Sequence, residues 1–453
     1  MTLRLLSISV LCLSLLMGQN SFAQNNMDKK SADDHGGDIE LDTHYHVINP
    51  LPVPLQKYLA HVQNNHHALK FIATRNQIAA EGLNNAQLGI RPQIGVQGYF
   101  GRTRTDTQNQ LFNTDAKYNE ISISQPLYTG GRVSSEIDAA TSELSESKAL
   151  TNNEINQFLF DASDAYTSFY KSKYLVKLGH ETADNAEKRV KSVKAEMASG
   201  ERSITDLAIA ESRFAQSQAE LANAVSDLDS AKAKFLYFMG TDVPVDIATN
   251  AQNPLDIKLD FTPPEPAMLY QLNPRILEAN AGVNTAAAAR EQAKAQYAPS
   301  VNLDGRAAYN DRRDEIGRDI NSDDYSVLAR YNIPLYSRGM EYSAEKKAAL
   351  QEERAKNRLV SLSGDVASEY KSNISKYQAA DSVVTAYQTA LKSAIKAAKA
   401  AEQEYQYGFR SITDLSDADK DVSKAKSDLI TAKTQRLTAL LSVLKDIDGL
   451  RIK

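Results

Sequence analysis

Beginning at Leu207, apolar and small residues return at every seventh position. Leu207, Phe214, Leu221, Leu228 and Phe235 form one series. Ala210, Ser217, Ala224, Ala231 and Phe238 form a second, three residues behind the first. Later in the chain Leu415, Val422, Leu429, Arg436, Val443 and Leu450 repeat the first series, and Ala418, Ala425, Ala432 and Ala439 the second. A strict heptad predicts coiled-coil packing, and small residues in one series let backbones approach closely.

A period of two governs other stretches. From Val301 to Asn310 the odd positions are apolar or small and the even ones mostly polar. Tyr325, Val327, Ala329, Tyr331, Ile333 and Leu335 alternate with Ser326, Leu328, Arg330 and Asn332. Ile94, Val96 and Phe100, then Ile121, Ile123 and Leu127, do the same earlier in the chain. These read as strands of about 10 residues, the length of a transmembrane β-strand. Val301, Leu303, Tyr325, Val327 and Ile333 are expected to face lipid, and Asn302, Asp304, Arg306 and Arg330 water. Tyr128, Tyr309 and Tyr336 stand where an interfacial aromatic girdle would form.

Both patterns occur twice because the chain is duplicated. Arg202-Ser203-Ile204-Thr205-Asp206-Leu207 recurs as Arg410-Ser411-Ile412-Thr413-Asp414-Leu415, and Pro126-Leu127-Tyr128 recurs as Pro334-Leu335-Tyr336, both at an offset of 208. That period is far longer than a solenoid repeat of about 20–50 residues.

The 13 prolines leave 127–243 and 335–453 empty. Such Ala-rich, proline-free tracts predict long helices. Each is broken once, at Ser199-Gly200-Glu201-Arg202-Ser203 and at Tyr407-Gly408-Phe409-Arg410-Ser411. There Gly suits a helix end, and Ser followed three residues later by Asp suits a helix start. Each tract is therefore a helical hairpin. Its first arm, Ser134 to Ala198, would be ~98 Å long at 1.5 Å per residue. Shorter helices over Leu55–Leu88 and Ala267–Gln296 are expected to lead each unit. The divisions are a signal at 1–23, an extension at 24–54, a first repeat at 55–240, a Pro-rich linker beside the helices at 241–266, and a second repeat at 267–453.

Arg4, the apolar run Leu5–Met17 and Ser21-Phe22-Ala23 read as an export signal cleaved after Ala23. Its 13 residues are too few for a membrane-spanning helix. Cys12, the only cysteine, lies inside it with no lipobox, so the mature chain has no disulfide or Cys-based metal site. The net charge of −5, from 52 Lys+Arg and 57 Asp+Glu, offers no basic face for nucleic acid.

Four strands per chain cannot close a barrel, and an open edge in lipid is prohibitively costly. Three chains would supply 12 strands, with the helices continuing as a tube. This order resembles the TolC family of outer-membrane channel-tunnels over roughly Leu55 to Leu450. The residues that carry the resemblance are Pro126-Leu127-Tyr128-Thr129-Gly130-Gly131-Arg132 at the strand-to-helix junction and Tyr405-Gln406-Tyr407-Gly408-Phe409-Arg410-Ser411-Ile412-Thr413-Asp414-Leu415 at the second hairpin tip. Ser337-Arg338-Gly339 departs from the usual Gly-Gly-Arg. The resemblance implies a mainly α protein with membrane β: a homotrimer with a 12-stranded barrel and a coiled-coil periplasmic tunnel in the outer membrane. It also implies two partners, a periplasmic adaptor and an inner-membrane ABC or proton-driven transporter. The function would be that of a passive duct for type I protein secretion or multidrug efflux. A chain that stops soon after its last helix, without a lipid anchor, favours type I secretion. It further implies a periplasmic gate at Tyr405, Arg410, Asp414 and Asp417, with Arg202 and Asp206 at the first tip, where Ile209 replaces the second acid.

No nucleophile elbow, P-loop or dinucleotide fingerprint is present, and no cofactor or enzyme activity is expected. The seven histidines, His44, His46, His66 and His67 among them, read as surface residues. A periplasmic coiled-coil scaffold without a barrel is the rival reading, and it leaves the four strands unexplained.

Overall fold

The computed structural model describes residues 51–107, 110–240, 255, 261–313 and 319–451. The expected signal with its cleavage after Ala23, nearly all of the 24–54 extension and most of the linker lie outside the described residues. The first half runs α1 (Val53–Asn65), α2 (His67–Leu88), β1 (Gln93–Thr107), β2 (Gln110–Tyr128), α3 (Arg132–Ala198) and α4 (Ile204–Met239). The second runs from a 3-10 turn (Pro266–Met268) through α5 (Leu269–Leu272), α6 (Pro274–Ala295), β3 (Ser300–Arg313), β4 (Asp319–Asn332) and α7 (Met340–Gln406) to α8 (Ile412–Asp446).

The repeat is visible in backbone detail. Gly131 and Gly339, both at positive φ, open α3 and α7, and Gly200 and Gly408, also at positive φ, close them. Each of these long helices has 67 residues, so it runs about 100 Å. The heptad positions of α4 and α8 are all buried or half-buried, which makes them the packed faces.

The leading helices differ from the sequence expectation of unbroken segments. At His66 the backbone turns extended, and the ring Nδ1 accepts from Ala68 N–H at 3.1 Å, so α2 starts afresh. At Asn273 the side-chain oxygen accepts from the Arg275 and Ile276 N–H groups at 3.0 and 3.2 Å, and Pro274 takes the first helical position. Both breaks are N-caps, which satisfy donors that a helix start otherwise leaves orphaned. His66 thereby has a structural task, and its Nε2 also meets the Tyr237 carbonyl at 3.1 Å.

The sheet is antiparallel in the order β1-β2-β3-β4. The strands span 14 to 19 residues, longer than expected. The sequence at the outer end of β1, Arg102-Thr103-Arg104-Thr105-Asp106-Thr107, is polar at every position, which hides it from an alternation count. Register places Ile94 beside Ile123, Val96 beside Ile121, Leu303 beside Ala329 and Gly305 beside Val327. Paired residues share a face, so these apolar side chains form one continuous surface, with Ile94, Val96, Phe100, Val327 and Tyr331 exposed in the single chain. The opposite face is polar and internally paired. Arg306 meets Glu120 at 2.8 Å, Arg330 meets Asp304 at 3.2 Å, and the Ser124 hydroxyl donates to Asp304 at 2.7 Å.

Below the sheet, α6 packs between α3 and α7. The Tyr58 ring stacks on Phe235 with centroids 5.0 Å apart and tilts against Tyr166 at 5.2 Å. At the end of α8, Asp446 is buried, and its carboxylate accepts from Asn373 Nδ2 at 2.8 Å. Burial pushes its pKa to about 6, and burial does the same for Asp448. No helix among the described residues is long and apolar enough to cross a membrane.

Candidate functional site at the hairpin tips

The α3–α4 and α7–α8 tips lie together. Val193, Ala210, Ala401, Tyr405, Ile412 and Leu415 form a buried cluster drawn from all four helices. Above it sits a polar lock. The Arg202 guanidinium lies 4.0 Å from the Tyr405 ring centroid, donates to the Tyr405 carbonyl at 3.0 Å, and pairs through Nε with Glu196 at 3.0 Å. The Tyr405 hydroxyl donates to the same Glu196 oxygen at 3.3 Å. Burial pushes the Tyr405 hydroxyl up, and the facing carboxylate adds to that. Partial burial alone would raise Glu196, but hydrogen bonds from Ser192, Arg202 and Tyr405 outweigh it and hold the acid below its ordinary range.

The gate residues named from sequence divide into groups. Tyr405 and Arg202 meet each other. Arg410 pairs with Glu404 of its own hairpin. Asp414 completes a capping box: its carboxylate accepts from Ser411 N–H at 3.1 Å and from the Ser411 hydroxyl at 2.7 Å, and these bonds lower its pKa. Asp206 caps α4 through Ser203 in the same way. Asp417 is exposed and forms an ion pair with Arg213 of α4 at 2.7 Å.

Sequence reasoning passed over Glu196, Glu404 and Arg213. The duplication carried a signal for the first two, because Glu196 precedes Arg202 by the same six residues that separate Glu404 from Arg410. Both acids pair with the arginine of their own tip. Arg213 has no counterpart of this kind. A further network joins the hairpins where Arg189 of α3 meets Glu402 of α7 at 3.5 Å and Asp419 of α8 at 3.3 Å. Lys426 of α8 reaches Glu181 of α3 at 3.0 Å. Among the described residues no group of His, Cys, Asp or Glu could hold a metal ion.

A sheet with one lipid-compatible face, carried on two hairpins of about 100 Å, defines an outer-membrane channel subunit with a periplasmic helical part. The family model described as outer membrane efflux protein matches residues 59–241 and 266–446, and the chain belongs to that family, the TolC family. It is 23% identical over 373 residues to the outer membrane efflux protein BepC of Brucella suis, covering 81% of this chain and 79% of BepC. It is 26% identical to outer membrane protein TolC of Escherichia coli over 253 residues, 53% of this chain and 51% of that protein. A third relative is the alkaline protease secretion protein AprF of Pseudomonas aeruginosa, 24% identical over 165 residues, 36% of this chain and 34% of AprF. The fold matches the CmeC outer membrane channel of Campylobacter jejuni with a TM-score of 0.78 at 14% identity, over 88% of this chain and 86% of that one. The protein is an outer-membrane channel of the efflux and secretion class and not an enzyme.

Proposed function

We propose that three copies close a 12-stranded barrel whose helices continue as a tunnel, and that the tunnel is a passive exit duct gated at its hairpin tips. The observation that carries this reading is the four-stranded sheet itself. Among the described residues nothing covers its apolar face, and its polar face carries the Arg306–Glu120 and Arg330–Asp304 ion pairs. Open edges in lipid leave backbone groups unsatisfied, and closure with other copies removes them. A periplasmic adaptor and an energised inner-membrane transporter, ABC or proton-driven, would supply cargo and energy, because the chain carries no nucleotide motif.

Tyr405, Arg202 and Glu196 hold the two hairpins of one subunit together at the tip. Threefold symmetry would bring Asp414 and Asp417 of each copy to one opening, and a ring of acids favours cations. Asp414 is committed to its cap and Asp417 to Arg213, so Arg213 would offset part of the ring's charge. Export of proteins is the first cargo class to test, because AprF is a protease secretion protein by name, and efflux is the second. A deletion strain assayed for both secreted proteins and drug susceptibility tests this. Lost secretion with unchanged susceptibility supports protein export, and the reverse supports efflux. No change in either would overturn the duct.

A further inference from the structure

The duplication fixes more than the number of strands. Inside one chain it joins the end of the first repeat to the start of the second, through β2 against β3 and α3 against α6. In a closed ring the end of the second repeat must join the start of the first repeat of the next copy. Matching positions can therefore be transferred from the visible joint to the one between copies. Pro126 onto Pro334 carries β2 onto β4 at an offset of 208. Pro92 onto Pro299 carries β1 onto β3 at an offset of 207, and this agrees with His66 and Asn273 as caps of the leading helices.

We propose that β4 of one subunit pairs with β1 of the partner subunit in one register, with Ala329 opposite Phe100 of the partner subunit. The visible joint pairs Ile121 with Ala307, Ser122 with Arg306 and Ile123 with Gly305. Transfer gives Ala329 with the partner's Phe100, Arg330 with the partner's Tyr99, and Tyr331 with the partner's Gly98. The chemistry of these residues fits. Both pairs on the lipid face set a large aromatic against a small residue, and an aromatic ring over a strand glycine offsets the packing that glycine lacks. On the polar face an arginine meets a tyrosine, as Arg306 already meets Tyr118 within the chain. The shift also keeps the faces in phase; a slip of one residue would put every lipid-facing side chain toward water.

The helices obey the same transfer. At the visible joint Asn153 Nδ2 donates to Glu278 at 2.7 Å, and Gly282 lies against Glu146. The same transfer brings Ser361 beside the partner's Phe71, and Arg354 beside the partner's Arg75, whose side chain Glu154 of its own chain already pairs. Phe71 is 77% exposed in the single chain, and Val360, next to Ser361, is 74% exposed.

One position does not transfer. A Cβ on Gly130 would stand 2.4 Å from the Ala298 Cβ, yet its counterpart is Arg338, at φ 59. The strand-to-helix turn at the joint between copies is therefore wider than its intrachain twin.

This inference rests on the trimer reading, and the test separates the two. Cys12 lies in the expected signal, so the mature chain has no competing thiol. Phe100→Cys is combined in turn with Val327→Cys, Ala329→Cys and Tyr331→Cys, and each protein, with its single-cysteine controls, is oxidised in outer-membrane fractions. Directly opposed residues lie within disulfide reach, while diagonal ones at about 7–8 Å fall outside it. The Ala329 pair should give the dominant covalent ladder, several-fold above the other two. A stronger ladder from Val327 or Tyr331 would overturn the register. No ladder from any pair, with non-covalent trimer still present, would overturn the joint itself. Absence of trimer from the unaltered protein would overturn the trimer reading beneath it. Phe71→Cys with Ser361→Cys provides a second pair away from the sheet. It should link, while Phe71→Cys with Leu350→Cys, eleven residues along the helix, should not.

Discussion

Arg202→Ala is the sharpest perturbation of the tip lock. The arginine makes two contacts that cross between hairpins, the stack over Tyr405 at 4.0 Å and the bond to its carbonyl at 3.0 Å. A cation–π contact of this kind contributes about 0.5–2 kcal/mol. A hydrogen bond from a charged donor contributes about 1.5–3 kcal/mol. The Arg202 side chain is 20% exposed, so some of this is screened, and about 2 kcal/mol per subunit remains. That is a shift of roughly thirtyfold toward parted hairpins. Single-channel recording in planar bilayers reads it directly, as larger conductance or more frequent opening than in the unaltered protein. Arg202→Lys keeps the charge but loses the planar fork, so it should fall between the two. An Arg202→Ala trimer with unaltered conductance and open probability would refute the lock.

Three further outcomes follow from the same structure. Val327→Arg puts a charge on the apolar face at a cost of roughly 2–4 kcal/mol at mid-bilayer, so it should lower trimer yield more than Arg330→Ala; equal yields would count against the barrel. Arg213→Ala releases Asp417 from its 2.7 Å partner and should raise cation selectivity, read as a shift in reversal potential under a salt gradient. Asp446→Asn keeps the acceptor for Asn373 and removes the charge. Because the folded-state pKa of Asp446 is raised to about 6, ionisation destabilises the fold as pH rises from about 4 to 7. The variant should therefore gain melting temperature over the unaltered protein at pH 7.5 and little at pH 4, with a limit of about 3 kcal/mol; the same gain at both pH values would reject this cause.

Much of the architecture was legible because duplication prints each signal twice. The heptads of α4 and α8, the Ser–Asp caps and the glycine breaks all repeat at the 208 offset, and local physics suffices for each. Strand extent was less legible, since runs such as Arg102-Thr103-Arg104-Thr105-Asp106-Thr107 are polar at every position and carry no period-two contrast. The break at His66 was missed because histidine is an uncommon cap and its role depends on a ring nitrogen reaching forward two residues, whereas Asn273-Pro274 carried an ordinary helix-start signal that was passed over. At the tip, Tyr405 and Arg202 were legible as types, but their meeting across 203 residues of sequence depends on packing of the two hairpins. Glu196 falls between these cases, since its pairing is local but becomes visible only when both repeats are aligned.

The central claim is that this chain forms a closed ring of three in the outer membrane. Native mass spectrometry of the detergent-extracted protein from outer-membrane fractions tests it most directly. The account requires a complex of three mature chains. Recovery of a single chain from that membrane, or of the protein as a soluble periplasmic species, would contradict it.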